Sequence, residues 1–161
     1  MSDFATFRSL LRRFTDAVER LDGPAFGRLF SERGTYDDAI YGPFTGPAAC
    51  ASLIEDHFAK DGTDYLWDMI DPVFEGASGY AHWLFSFRSR RPGLGSRRAL
   101  MSGCCRIEID RDGLITTYRD WSNGASALVG IGTPITAIEP LLCRLDAGLR
   151  SLPVAKRHLE R

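Results

Sequence analysis

The segment from Tyr65 to Asn123 carries strand patterns and turn signals but no helical periodicity, and this feature limits the fold most. Four strands are predicted over 65–73, 79–89, 98–110 and 114–122, with turn-forming residues at 75–79 and 110–113. Consecutive strands with short connections form an antiparallel sheet, and one apolar face of such a sheet must be covered. Helical segments precede this run, so the order of elements predicts an α+β fold.

The predicted cover is an amphipathic N-terminal helix with an apolar residue at every third or fourth position. This stripe comprises Phe4, Phe7, Leu10, Leu11, Phe14, Val18 and Leu21. A short helix over 25–30, a strand over 34–40, a turn over 42–46 and a third helix from Pro47 to about Lys60 follow. A helical tail begins at Thr133, and Pro140 is expected to kink or restart it. We therefore expect one domain over 1–132 and a helical extension over 133–161 packed on it.

The composition argues against several classes of function. The chain has 20 basic and 21 acidic residues, and a net charge of −1 provides no field that attracts nucleic acid or an anionic membrane. No apolar run approaches the roughly 20 residues that span a bilayer, and the first residues lack a secretion signal, so a cytoplasmic protein is expected. The four cysteines have no metal-ligand spacing, and we expect neither a metal nor another cofactor.

Three stretches of the sequence, residues 29–38, 42–47 and 112–121, resemble the nuclear transport factor 2-like (SnoaL-like) superfamily. Residues 29–38 and 42–47 are similar to its first strand and the glycine turn that follows, and residues 112–121 are similar to its last hairpin. The resemblance covers residues 4–130 and implies a cone-shaped, barrel-like fold, in which a curved, mostly antiparallel sheet wraps around the N-terminal helices and encloses a pocket. Many members are cofactor-free enzymes for apolar ligands, such as ketosteroid isomerase, polyketide cyclases and limonene-epoxide hydrolase, whereas others only bind ligands or partners.

The first strand carries two candidate catalytic residues, Tyr36 and Asp38. Strand periodicity places them on one face, while Asp37 points the other way. An acid on a pocket face is unfavourable unless it is paired or protonated, which favours a functional role. The resemblance implies that Asp38 stands where ketosteroid isomerase has its general base and limonene-epoxide hydrolase has a water-holding Asn. A solvated acid, or a cap for the turn at Gly42, is the alternative.

Asp120 and His82 complete the candidate catalytic set. The motif Tyr118-Arg119-Asp120 resembles the Trp-Arg-Asp motif of limonene-epoxide hydrolase, and a structural ion pair from Asp120 to an arginine is the alternative. His82 lies in mid-strand and titrates near neutrality, which suits an acid or base, although a satisfied core histidine is the commoner case. The Arg-x-Asp pair of the epoxide hydrolase is missing from residues 80–86, so its water-activating relay is incomplete.

The residues expected to bind substrate carry rings or a positive charge, and they are His57, Tyr41, Phe44, Trp67, Tyr118 and Arg106. Tyrosine and tryptophan combine an apolar body with a polar group, which suits a pocket for a ring-bearing ligand. Arg106 alternates with apolar neighbours, and on the pocket face it would pair with an acid. The arginines of 88–98 are either a solvated loop or a mouth that attracts an anionic ligand.

The absence of nucleophile, metal and nucleotide motifs leaves proton-transfer chemistry. We predict a cofactor-independent acid–base lyase that performs elimination, dehydration or carbon–carbon cleavage on a small hydrophobic, aromatic or phenolic compound. An isomerase, cyclase or epoxide hydrolase of the same superfamily is one alternative, and a non-catalytic ligand-binding or assembly module is another.

A homodimer or other homo-oligomer is also expected, because one monomer's helices cannot cover both faces of the sheet. If His82 faces inward, then Trp83, Phe85 and Trp121 lie on the uncovered face.

Overall fold

The computed structural model describes residues 3–38, 41–90 and 98–160. The elements in chain order are α1 (Phe4–Glu19), α2 (Gly23–Gly27), β1 (Phe30–Asp38), β2 (Gly42–Thr45), α3 (Pro47–Ser52), a π-helical turn (Leu53–Phe58) and α4 (Ala59–Asp61). They continue with β3 (Gly62–Glu75), β4 (Ser78–Ser89), β5 (Arg98–Ile109), β6 (Ile115–Ser122), α5 (Gly124–Gly130), α6 (Ile135–Arg150), a 3₁₀ turn (Pro153–Ala155) and α7 (Lys156–Leu159). The basic connection 91–97 of the sequence analysis lies outside the described residues.

The predicted α+β fold with a mostly antiparallel sheet is confirmed. The strand order is β2-β1-β6-β5-β4-β3, and all neighbouring strands are antiparallel except β1 and β6, which are parallel. Residues 42–45, predicted as a turn, instead form the edge strand β2, which pairs with the end of β1. An edge position tolerates Pro43, because no further strand needs its missing N–H. β1 also begins earlier than predicted, since Phe30 already pairs with Ile115 of β6.

Helix α1 covers one face of the sheet with its apolar stripe. Asp3 caps it, and its carboxylate accepts a hydrogen bond from the Thr6 N–H at 2.8 Å. Phe14 is at the centre of the core, with ring centroids of four aromatic side chains between 4.9 and 6.3 Å away. These four are Phe26, Tyr36, Trp67 and Tyr118. The aromatic core therefore joins α1 to both the first and the last strand.

Two bulges bend β3 around this core. Its pairing with β4 shifts register between Thr63 and Leu66 and again between Ile70 and Val73. Each irregular stretch contains an aspartate with positive φ, Asp64 at 56° and Asp71 at 48°, a conformation that aspartate adopts more readily than most residues. Bulges increase the local twist and bend of a strand. They give β3 the curvature that lets the sheet enclose a cavity.

The two faces of the sheet are assigned by β4. Ala81, Trp83 and Phe85 are buried, whereas His82 and Leu84 are exposed. The expectation that His82 faces inward and that Trp83 and Phe85 face outward is therefore wrong. The alternation of β4 is shifted by one residue from the expected one, so the two faces are exchanged. The sequence pattern could not decide the phase, because both faces of β4 carry large side chains.

The C-terminal extension is helical as predicted, but it begins earlier, with α5. Ala127 of α5 is buried against Ala99 of β5, which anchors the start of the extension. One helix, α6, spans Pro140, so the predicted restart at that residue is absent. Ile138 is the only residue of α6 that is buried, and the rest of its apolar stripe stays at the surface. Among the described residues, no helix is long and apolar enough to cross a membrane.

Candidate active site

A cavity lies on the buried face of the sheet, between the strands and the end of the helical segment 47–61. Its volume is about 80 Å³, which exceeds the ~10–15 Å³ that one water requires and suits a small ligand. The described residues that line it are Tyr36, Asp38, Tyr41, Phe58, Asp61, Tyr65, Trp67, Trp83, Phe85, Phe87, Met101, Asp120 and Ser122. The lining is mostly aromatic, and its ionisable groups other than tyrosine are three carboxyl groups.

The parallel pairing of β1 and β6 brings two of these carboxyl groups together. Tyr36 is opposite Tyr118 in the register, and their rings stack with centroids 4.5 Å apart and planes within 3°. Two residues further along each strand, Asp38 and Asp120 project to the same face. The tyrosine stack therefore lies beside the carboxyl pair, and Tyr36, Asp38 and Asp120, three of the candidate catalytic residues, line the same cavity.

The neighbouring pair in the same register confirms the strand phase. Asp37 is opposite Arg119, and the Asp37 carboxylate and the Arg119 Nε lie 3.5 Å apart on the exposed face. Asp37 thus points away from the cavity, as the alternation of β1 predicts. It provides a matched control for any change at Asp38.

The environment of Asp120 disfavours its charged form. Burial is the main cause that raises the pKa of Asp120 to about 7, and the charge of Asp38 is the second. A hydrogen bond with Tyr118 partly offsets the rise, with 3.5 Å between the Tyr118 hydroxyl and Asp120 Oδ2. Among the described residues, no cation contributes to this pKa. The pKa of Asp120 therefore lies near neutral pH, where the group can give or take a proton.

Asp38 has a different environment. Its Oδ1 accepts a hydrogen bond from the backbone N–H of Tyr41 at 2.8 Å. The capping alternative of the sequence analysis is thus realised, and the same side chain also lines the cavity. A backbone N–H that donates to a carboxylate favours its ionised form. Asp38 and Asp120 are therefore carboxyl groups on adjacent strands with different surroundings, an arrangement that suits a base and an acid.

The tyrosines of the cavity act as hydrogen-bond donors. Burial, followed by the charges of the two adjacent aspartates, raises the pKa of Tyr36 well above its ordinary value. The Tyr41 hydroxyl donates to Asp61 Oδ2, and burial together with this bond also raises the pKa of Tyr41. The Tyr65 hydroxyl donates to the Phe58 carbonyl oxygen at 2.9 Å. These hydroxyls keep their protons throughout the neutral range.

Three residues predicted to bind substrate lie near the cavity without lining it. The His57 ring contacts the rings of Tyr41 and Phe44, with centroids 4.7 and 5.6 Å away. His57 thus packs against Tyr41, and Phe44 packs against His57. Tyr118 is fully buried beneath Tyr36 and contacts Asp120 instead. Tyr41 and Trp67 line the cavity.

Two predicted site residues are on the opposite face of the sheet. His82 is exposed there, so the expectation that it faces the pocket is wrong. Cys105 and Ile107, on either side of Arg106, take the buried positions of β5. Arg106 therefore points to the other face, where it forms an ion pair with Glu108. The expectation that Arg106 faces the pocket is wrong for the same reason of alternation.

Asp61 and Trp83 line the cavity but were missed by the sequence analysis. The Asp61-Gly62 pair is a helix-ending signal, and it gives no sign that the carboxyl group meets Tyr41 across the cavity. Trp83 was assigned to the outer face by the phase error on β4. Among the described residues, no group of three or more His, Cys, Asp or Glu side chains could hold a metal ion.

Solved structures of similar fold come from several organisms. One is a protein with a ketosteroid isomerase-like fold from Catenulispora acidiphila in complex with trimethylamine (TM-score 0.69, 18% identity, covering 78% of this chain and 93% of that one). Another is TsrD from Streptomyces laurentii (TM-score 0.70, 21% identity, 83% and 100%). A third is an LEH-like epoxide hydrolase from M. tuberculosis (TM-score 0.64, 17% identity, 83% and 95%). At such identities the likeness shows the fold and leaves the activity open.

A comparison with curated proteins gave no match. The family model described as "SnoaL-like domain" matches residues 11–118. This range runs from the middle of α1 to Tyr118 of β6, so it contains the aromatic core and most of the cavity, and it extends over well more than half of the chain. The chain therefore belongs to the SnoaL-like domain family.

Proposed function

We propose that the protein is a cofactor-independent acid–base lyase that eliminates water from a small hydrophobic compound bound in the cavity. The observation that carries this proposal is the pair Asp38 and Asp120, two carboxyl groups on adjacent parallel strands with different environments. Proton abstraction requires an ionised base, and loss of a hydroxyl group requires an acid. In the proposal, Asp38 is the base and Asp120 is the acid.

In the proposed step, the carboxylate of Asp38 takes a proton from carbon. The electron pair of the broken C–H bond forms the new C=C bond, while the C–O bond to the neighbouring carbon breaks. The departing hydroxyl takes the proton of Asp120 and leaves as water. Asp38 is then protonated and Asp120 ionised, and a proton returned from Asp38 to Asp120 through the cavity restores the starting state.

The surroundings of the pair support this assignment. Aromatic rings line most of the cavity, and exclusion of water strengthens the electrostatic interactions of the two carboxyl groups with a ligand. Tyr36 lies beside both acids and keeps its proton, so it can donate a hydrogen bond to the departing oxygen. His82, the other acid of the sequence analysis, has no part in the proposal because it faces outward.

A second candidate is a ligand-binding module without catalysis. The small volume of the cavity favours it, as do the hydrogen bonds that engage Asp38 and Asp61 in holding the local structure. In such a module, the carboxyl pair would serve to recognise a polar group of the ligand. Turnover separates the two candidates.

We expect turnover without added cofactor when the protein, pretreated with a chelator and dialysed, is incubated with small cyclic and aromatic alcohols. The expected product is the alkene, detected by mass spectrometry as loss of water. The proposal requires no metal or organic cofactor, since the carboxyl pair supplies both proton transfers. Activity that disappears with the chelator and returns with a divalent ion would contradict it, and binding without any turnover would favour the second candidate.

We also propose that two copies of the chain pair through the outer face of the sheet. Among the described residues, the large side chains that this face exposes are Leu66, Ile70, Val73, Tyr80, Leu84, Leu100 and Trp121. An apolar surface of this kind usually marks an interface. Trp121, 55% exposed, is the one residue that the sequence analysis placed correctly on this face.

Sedimentation velocity at micromolar concentration is expected to show a dimer, and Leu84→Glu is expected to convert it to a monomer because a charge would be buried in the interface. Leu149→Glu is the control, since Leu149 is also an exposed apolar residue but belongs to α6. A monomeric wild-type protein would refute the pairing. Dissociation by Leu149→Glu alone would move the interface to the tail.

A further inference from the structure

A histidine and a cysteine lie side by side on the outer face of the sheet. His82 of β4 is directly opposite Cys104 of β5 in the register. His82 is exposed and Cys104 is partly exposed. Ala81 and Cys105, the next pair in the register, are buried on the cavity face. Opposite residues on antiparallel strands have Cβ atoms about 4.5–5.5 Å apart, so the imidazole and the thiol reach the surface together.

This pair is in the central row of the outer face. Across the strands, His82 is opposite Ile70 of β3, and Cys104 is opposite Trp121 of β6. Along β4 and β5, alternation leaves two outward positions on each side of the pair. The large exposed side chains around it are Ile70, Tyr80, Leu84 and Trp121. Two copies that pair through this face about a twofold axis at its centre bring each central residue close to its own counterpart.

Such pairing buries two polar side chains among apolar ones. The part of the chain that the structure describes offers His82 no hydrogen bond or ion pair. The Cys104 thiol has a long, weak contact, 3.9 Å from its Sγ to the Cys105 carbonyl oxygen. Arg106, the next outward residue of β5, already has Glu108 as its ion-pair partner. A buried imidazole or thiol without a partner is unfavourable, so the paired face requires a group that both side chains can bind.

We propose that two copies of the chain bind one Zn²⁺ ion at the centre of their shared outer face, through His82 and Cys104 of each copy. The inference rests on the outer-face pairing proposed above and is independent of the lyase activity. Two cysteines and two histidines form one of the tetrahedral ligand sets of closed structural zinc sites. Thiolate ligands disfavour Mg²⁺, Ca²⁺ and Mn²⁺. Each thiol releases its proton to solvent as it binds, and the two thiolates balance the charge of the ion.

The distances in paired sheets suit such a site. Sheets packed face to face lie about 10 Å apart, so the plane midway between them is about 5 Å from each. Zinc forms bonds of about 2.3 Å to sulfur and about 2.0–2.1 Å to nitrogen, which cysteine and histidine side chains from both sheets can make in that plane. One chain supplies half of the ligands, and among the described residues no group of three could hold a metal alone. The two ligands are also on different strands, so no closely spaced motif marks them in the sequence.

Titration of the full chain with zinc chloride measures the stoichiometry. The protein is treated with a chelator, desalted and kept reduced, and the titration is followed by isothermal calorimetry. We expect one Zn²⁺ for every two chains, with a Kd below about 1 μM, as for structural zinc sites. Co²⁺ in place of Zn²⁺ is expected to show the visible absorption of a tetrahedral site and the near-ultraviolet band of a thiolate ligand.

Variants identify the ligands. Cys104→Ser and His82→Ala are each expected to weaken zinc binding by at least about a hundredfold, since loss of an outer-shell residue alone costs about 10–100-fold. Cys143→Ser and His158→Ala are the matched controls, because both residues are exposed in the tail, and neither should change the affinity. Leu84→Glu keeps both ligands but separates the copies, so it should weaken zinc binding as much as the loss of a ligand does.

Sedimentation velocity with and without zinc separates the site from the pairing. At free zinc about tenfold above its Kd, linkage predicts a dimer dissociation constant about tenfold lower, and a chelator should reverse the change. A dimer that binds no zinc would refute the site and leave the outer-face pairing standing, whereas a monomer that binds no zinc would refute both. One Zn²⁺ per chain, or undiminished binding by Cys104→Ser, would also overturn the inference. The site is on the side of the sheet away from the cavity, so turnover of the chelated protein tests the lyase separately.

Discussion

Asp38→Asn is expected to lower turnover by at least about a hundredfold, the usual effect of removing a general acid or base. The amide keeps the shape of the side chain but cannot take a proton from substrate. Ligand affinity should change far less, since the loss falls on the transition state. The measurement is kcat and KM of purified variant and wild type, with a substrate found by the screen of small cyclic and aromatic alcohols.

The control for this change is Asp37→Asn, the same substitution one residue earlier. Asp37 is exposed and forms its ion pair with Arg119 on the other face of the sheet, so we expect wild-type turnover within about twofold because surface ion pairs contribute little. A neutral Asp38→Asn beside a damaging Asp37→Asn would show that the catalytic assignment on β1 is wrong.

Asp120→Asn is expected to change how stability depends on pH. The pKa of Asp120 is about 7 in the folded chain against an ordinary value of 3.8, so between these values the folded protein holds a proton that the unfolded chain has released. Wild-type stability therefore falls as pH rises from about 4 to about 7, by about 1.4 kcal/mol for each unit of pKa difference. For a difference of about three units the full loss is on the order of 4 kcal/mol, and the uncharged amide does not undergo it.

Urea unfolding of wild type and variant at pH 4, 6 and 8 measures this difference. The free energy of unfolding of Asp120→Asn, relative to wild type, should increase across the series and level off above pH 7. Asp37→Asn, at an exposed position, should show no comparable trend. A constant difference between Asp120→Asn and wild type over the whole range would mean that Asp120 ionises as freely in the fold as in the unfolded chain.

The residues of the carboxyl pair could be identified from sequence because β1 and β6 alternate clearly near their ends. In β1 the charged Asp37 is exposed between Tyr36 and Asp38, and a shift of one residue would bury its charge instead. The same logic applies to Arg119 between Tyr118 and Asp120. Where alternate residues differ this much in polarity, the phase of the strand is fixed by solvation alone.

The wrong or missing predictions of the sequence analysis fall in segments where the local sequence pattern shows no such difference in polarity between alternate residues. β4 has large side chains on both faces, so the phase that exposes His82 depends on which face α1 covers, a tertiary contact. Asp61 reaches the cavity because a π-helical turn precedes it, and a sequence pattern of helical spacing does not reveal the extra residue in that turn. Gly42 and Pro43 are typical turn residues, and only the pairing with β1 makes them a strand.

The parallel contact between β1 and β6 also has a consequence for how the chain folds. It joins Tyr36 to Tyr118, and the strands β2 to β5 lie between these two residues in the sequence. The hairpins from β3 to β6, in contrast, form between strands that follow one another in the sequence. Contacts of large sequence separation form slowly, because the intervening chain must first lose its conformational freedom. During synthesis, β1 must therefore wait for the whole meander before it can pair with β6. The carboxyl pair is assembled in the same event, so the proposed reactive centre cannot exist in any partly folded form that lacks this contact.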